Sequence, residues 1–243
     1  MRWLRELIFL FIILFAGAIL LYFSLDSIVK KGIESVGPLI TDVEVTVSQA
    51  DLSPLSGVCQ LLNFKVRNQE GYDTEHVFFC ESIKVDLKPK TIFDDKTVIN
   101  QINIRGAEIT FEGGLQKNNI QVILENIEKN LEKFSKEEDS GVNKKLQIDE
   151  LLITETKLNL SLPLMGSKTI STSLPDIQLR DLGTGPDGIT AGEFIRRVTE
   201  QLRDRVLITT KEKAGDLGKV FSESFERLNL KSGVQKALKE WTR

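Results

Sequence analysis

The sequence predicts an α+β protein: an N-terminal transmembrane helix, then a twisted antiparallel sheet of about 7–9 strands, covered by a mid-chain helix and C-terminal helices. Three observations carry this. Leu7 to Phe23 is one unbroken apolar run. From Thr41 the apolar residues recur every second position. Over Ile120–Phe134, and again after Thr190, they recur every third or fourth.

The apolar run reads LIFLFIILFAGAILLYF, seventeen residues without a charge. Leu7, Ile8, Phe9, Leu10, Phe11, Ile12, Ile13, Leu14, Phe15, Leu20, Leu21 and Phe23 supply its bulk. As a helix it covers roughly 26 Å, close to the hydrocarbon thickness of a thin bilayer. Ser24 and Leu25 extend it, giving a span of 7–25 behind a stub of 1–6. Arg2 and Arg5 precede it, which favours a cytoplasmic N-terminus and export of everything after. A cleaved signal peptide is the competing reading. Ala16-Gly17-Ala18 has the composition of a cleavage site, but the apolar run continues for five residues past it.

The chain has 243 residues, a net charge of -3 and 28% charged side chains of both signs. That excludes a general attraction to nucleic acid and describes a solvated, folded surface. About 215 residues follow the anchor, enough for one sizeable domain or two small ones. The two cysteines, Cys59 and Cys80, fall on the expected exported side, where disulfides form. Strand register decides between a bond and two buried thiols, and sequence leaves that open.

Residues 26–40 read as a helical connector: Ile28, Val29, Ile33 and Val36 keep helical spacing, Lys30 and Lys31 suit the far interface, and Gly37-Pro38 ends it. Residues 41–189 read as the sheet domain. Its expected apolar face takes Val43, Val45 and Val47, then Leu62, Phe64 and Val66, then Ile83, Val85 and Leu87. Ile102 and Ile104 follow, then Ala107, Ile109 and Phe111, with Gly106 between as a bulge or tight bend. These five short strands read as an antiparallel meander. Asn118 or Asn119 caps a helix over 119–134 with one apolar stripe. Ser135–Lys145 has no apolar period and reads as a loop. Leu146–Leu162 returns to strand, Pro163–Gly166 turns the chain, and Leu174-Pro175 marks Leu174–Leu182 as an edge. In the C-terminal region, 190–243, Thr190 and Glu193 fit a capping box. Gly215 and Gly218 are expected to break or bend it, in a region read as successive amphipathic helices.

One stretch echoes another at an offset of 49: Ile102, Ile104, Ala107, Ile109 and Phe111 match Leu151, Ile153, Thr156, Leu158 and Leu160. This hints at a sheet grown from a repeated unit.

No catalytic set assembles from the sequence. His76 is the single histidine, the cysteines lack zinc spacing, no serine sits in a nucleophile elbow, and no glycine-rich loop has the context of a phosphate cradle. The expectation is a protein that is not an enzyme and needs no cofactor or metal.

The residues after the anchor resemble a family. The pattern runs Val43-x-Val45-x-Val47, Asp51-Leu52-Ser53-Pro54-Leu55-Ser56-Gly57, then Leu62-x-Phe64-x-Val66-Arg67-Asn68-x-x-Gly71-Tyr72. Ile83-x-Val85-Asp86-Leu87, Ile102-Asn103-Ile104, Ala107-x-Ile109-x-Phe111 and Asn118-Asn119 follow. Together these resemble the N-terminal module of bacterial AsmA-like envelope proteins. Leu174-Pro175-Asp176-Ile177-x-Leu179-x-Asp181-Leu182-Gly183 and Gly188-Ile189-Thr190 resemble the end of its short members. The likeness covers roughly Arg2–Arg205; Gln69 stands where the family pattern has proline. It implies a single-pass protein of the bacterial inner membrane, N-terminus cytoplasmic and bulk periplasmic. Long members resemble bridge-like lipid-transfer proteins, so it also implies envelope biogenesis or phospholipid handling on an apolar sheet face. A sheet of about eight strands is roughly 40 Å wide, too little for a long conduit alone. The alternative expectation is an interaction subunit recruiting other envelope proteins by its sheet edge or C-terminal helices.

Overall fold

A computed structural model describes residues 25–114, 117–136, 144–161 and 169–227. The expected anchor, the Pro163–Gly166 turn and the expected last helix around Trp241 lie outside the described residues. Among the described residues, no helix is long and apolar enough to cross a membrane.

The described strands join in one mixed, mostly antiparallel sheet. At one edge, β1 (Val45–Thr46) and β2 (Gln49–Ser53) both pair with β3 (Val58–Arg67). Next come β4 (His76–Leu87) and β5 (Lys96–Glu112), a single strand where two were expected. Then come β6 (Lys145–Thr154) and β7 (Lys157–Ser161), end to end along β5. The far edge is β8 (Thr169–Ser173), β9 (Ile177–Leu182) and β10 (Ile189–Thr190), laid in turn along β7 and β6.

The sheet is not wholly antiparallel. The β1–β5 half is the expected meander, but β6 and β7 run parallel to β5. The helix between them explains this: it returns the chain to the end where β5 began, and two strands entering at one end are parallel. The echo at an offset of 49 is the register of this join. Ile102 lies beside Leu151, Ile104 beside Ile153, Ile109 beside Leu158 and Phe111 beside Leu160. Similar residues therefore stack across the two strands.

A crease crosses the sheet from β3 to the β8–β9 edge. On β5 it falls at Gly106, with φ 64°. The neighbouring pairs Cys80–Ala107 and Ser82–Arg105 bracket Glu81 of β4 beside it. Leu62–Ser82 and Phe64–Cys80 bracket Asn63, φ 51°, on β3. On the other side the row passes through Glu155, φ 55°, between β6 and β7, and through Pro175 between β8 and β9. Left-handed residues in one row act as aligned bulges: each strand bends and its inward face shifts by one residue. The inward residues on either side are therefore three apart: Leu61 and Phe64, Cys80 and Ile83, Ile104 and Ala107, Leu174 and Ile177. This corrects one expected core residue. Leu61, not Leu62, joins the apolar cluster, because alternation read through Asn63 picks the wrong face.

Three helices cover one face of the sheet. α1 (residues 25–41) passes through Gly37-Pro38, where it was expected to stop. It packs Val29, Ile33 and Ile40 on β1–β3. It also seals the edge strand: Asp26 Oδ1 accepts Leu52 N–H at 2.7 Å, Glu34 Oε1 accepts Val47 N–H at 3.2 Å, and Lys30 Nζ donates to Ser48 O at 3.1 Å. α2 (Asn119–Phe134) is capped by Asn118, whose side chain accepts Gln121 N–H. Asn119, wholly buried, ties that helix to β5 by donating to Thr110 O and accepting Glu112 N–H, both at 2.8 Å. α3 (Ala191–Arg227) continues through Gly215 and Gly218, so the expected break there is absent. Thr190 Oγ1 caps it by accepting Glu193 N–H, whereas the Glu193 carboxylate pairs with Arg197 instead of closing the box.

The cysteines do not pair. Cys59 lies opposite Val85 and Cys80 opposite Phe64, about 16 Å apart along the strands. Both thiols are free. Burial pushes the Cys80 thiol up to about 11, and the thiol donates to Ser82 O and Arg105 O beside the crease.

Candidate functional site

The covering of the sheet is incomplete between α2 and α3. α2 lies over β1, β3 and β4; α3 lies over β5, β6 and β9. Over the boundary a cleft of about 260 Å³ remains. Its floor is Phe64 and Val66 of β3, Val77 and Phe78 of β4, and Ile109 of β5. Ile120, Ile123, Leu124 and Ile127 form the α2 wall, and Thr199, Leu202, Arg203 and Val206 the α3 wall. Phe64 and Phe78 meet edge to face with centroids 6.1 Å apart, which fixes the floor.

The mouth is polar. Glu128 on α2 and Arg196, Glu200 and Arg203 on α3 rim a smaller recess above the same walls. Both arginines are exposed, and Arg203 Nη2 reaches Asp204 at 3.1 Å. A second apolar groove, about 450 Å³, runs between α1 and the sheet along Val29, Ile33, Val36 and Ile40, and shares Phe64 with the cleft.

The expected sheet face divides among these features. Phe64, Val66 and Ile109 reach the cleft; Val45 lines the α1 groove. Ile83, Val85, Leu87, Ile102 and Ile104 pack in the core under α3, and Phe111 is buried beside them. Val43 packs beside α2 and Val47 under α1. Val77 and Phe78 were missed because their strand was read only on the far side of the crease. The three-residue step from Cys80 to Ile83 was the available signal. Thr199 and Arg203 were missed too, although they share a helical stripe with Leu202 and Val206.

Neither the cleft nor its mouth holds a nucleophile beside a base. Among the described residues no three His, Cys, Asp or Glu side chains gather as a metal site. His76 lies against Phe79, 5.9 Å between ring centres, and its buried Nδ1 has no partner. What the arrangement can do is hold an apolar chain beneath a charged rim. No family model matches this chain, and no curated protein matches it.

Proposed function

We propose that this chain is a single-pass protein of the bacterial inner membrane whose exported domain holds a phospholipid acyl chain in the α2–α3 cleft, and so serves lipid handling in envelope biogenesis without catalysis. The observation that carries this reading is the apolar floor left uncovered between two helices, with Arg196 and Arg203 at its mouth. Ligand sites are mostly apolar with a few placed polar groups, and this cleft lies near the lower end of their size range, roughly 300 Å³. An acyl chain on the floor leaves its phosphate beside the guanidinium groups, which bind phosphate well. The apolar run before α1 and the resemblance to AsmA-like proteins support this compartment.

The test is mass spectrometry of the full chain purified in detergent. Phospholipid is expected above the level carried by a control single-pass anchor, and Leu202→Trp, which fills the cleft, is expected to return it to that level. Background lipid on the parent chain would overturn the reading. Recruitment of a protein by the sheet edge has less support: α1 side chains occupy the β1–β2 edge, and Pro175 interrupts the β8–β9 edge.

A further inference from the structure

One end of the sheet carries apolar side chains that no core uses. It is the end where α1 begins, fixed by the bond from Leu52 N–H to Asp26 Oδ1. Three residues beyond Leu52, the β2–β3 turn presents Leu55, 94% exposed. Leu87 N–H donates to Gly57 O at 3.0 Å, which joins that turn to the β4–β5 loop. The approach requires glycine: φ is 78°, and a Cβ would lie 2.1 Å from Leu87 O. The β4–β5 loop then presents Ile92, exposed, and Phe93, 95% exposed.

A single exposed apolar side chain means little, but three on adjoining turns at one end form a patch. Lysines rim it. Lys88, Lys90 and Lys145 are exposed, and Lys144 Nζ donates to Asp94 O in the same loop. With Lys96, whose Nζ donates to Gly185 O, five lysines stand at this end among residues 88–96, 144–145 and 183–188, against Asp94, Asp95 and Asp187, while Asp26 and Asp51 lie on its α1 side.

The tether places this end. Only Ser24 and Leu25 separate Phe23, the last residue of the apolar run, from Asp26. Fully extended, that path is about 10 Å. Leu52 is bonded to Asp26, and Leu55 is three residues from Leu52. If the run lies in a bilayer, the patch is within reach of its surface.

We propose that this end of the sheet docks on an anionic bilayer surface, with Leu55, Ile92 and Phe93 in the interfacial region and Lys88 and Lys90 against lipid phosphates. It rests on the membrane placement proposed above, and not on the cleft. The sheet then stands on the membrane, with the Asn68–Glu75 turn at its far end.

The test uses the full chain carrying Trp241→Phe, reconstituted in vesicles of phosphatidylcholine and phosphatidylglycerol with brominated acyl chains. Trp3, just before the apolar run, reports the anchor. Phe93→Trp is expected to add blue-shifted emission and to lose roughly half or more of it to bromine in the interfacial region. Tyr72→Trp, at the far end, is expected to lose none. Adding Lys88→Glu and Lys90→Glu to Phe93→Trp is expected to weaken the quenching; Leu55→Trp repeats the measurement from the adjoining turn. Equal quenching of the Phe93→Trp and Tyr72→Trp emissions while Trp3 is quenched would overturn the docking alone. An unquenched Trp3 would overturn the anchor and the docking with it.

Discussion

Glu112 closes β5 with a carboxylate that holds another strand's turn in place. It accepts Asp73 N–H at 2.7 Å, Thr74 N–H at 2.9 Å and the Thr74 hydroxyl at 2.5 Å, with Asn68 Nδ2 at 3.4 Å. Burial pushes its carboxyl up, but the Thr74 and Asp73 donors outweigh that and leave it below the usual value. The sign follows from linkage. The unfolded chain binds the proton more readily than the folded one, so the stabilisation is present above the ordinary glutamate value and fades as pH falls through the folded one. Glu112→Gln is therefore expected to cost about 1–3 kcal/mol at neutral pH, since a neutral amide cannot accept from all these donors. The loss relative to the parent is expected to shrink as pH falls below the ordinary glutamate value of about 4.3, read as urea midpoints from neutral into acid pH. A constant difference across the range would mean the carboxylate charge has no part. The Asn68-x-x-Gly71-Tyr72 pattern was visible in the sequence, but its partner lay 38–44 positions away. Nothing local in a chain points to such a distant acceptor.

The crease is a property of elements, since no single strand could bear it alone. Gly106 occupies it with φ 64°, and a Cβ there would lie 2.6 Å from Glu81 Cδ. Gly106→Ala is expected to cost about 1–2 kcal/mol for the left-handed backbone, with Glu81 displaced besides. A fall in Tm larger than that of Gly71→Ala would check this. Gly71 also has positive φ, 95°, but its Cβ position is open. An equal fall would show that the row carries no shared load. This element also marks how far the sequence could be read. Period two located β3, β4 and β5, period 3.6 located α2, and the echo at 49 residues held the parallel register without revealing that it was one. Alternation followed straight through Asn63 chose Leu62 over Leu61, and the strand face was followed no further back than Ile83, so Phe78 was missed. Asn63 and Glu155 adopt positive φ without being glycine, so composition does not announce the bend. Glu81 and Pro175 join the same row through pairing alone. Of the candidate cleft, Phe64, Val66 and Ile109 of the floor and the α2 stripe were legible. The gap between α2 and α3 was not, because it depends on where two helices lie on a bent sheet.

For the whole molecule, one-sidedness is the governing fact. Helices cover one face, while the opposite face carries pairs such as Lys157–Glu108 and Arg180–Glu150 that suit water. α1 is fixed to the β1–β2 edge by three side-chain bonds, so the position of its N-terminus sets that of the sheet. If residues 7–25 span a bilayer with Arg2 and Arg5 in the cytoplasm, the entire sheet lies outside, one end near the lipid and the Asn68–Glu75 turn farthest from it. Tyr72 in that turn is the place to test it. Cys59 is half-buried and Cys80 buried, so a new thiol in the turn reacts against a low background once Cys59→Ser is added. In spheroplasts carrying Tyr72→Cys, a membrane-impermeant maleimide is expected to label the chain as fully as it does after lysis. Labelling that appears only on lysis would place the sheet in the cytoplasm. The lipid phosphates offered to Lys88 and Lys90 would then be those of the inner leaflet, and a role in envelope biogenesis would lose its compartment while the cleft kept its chemistry.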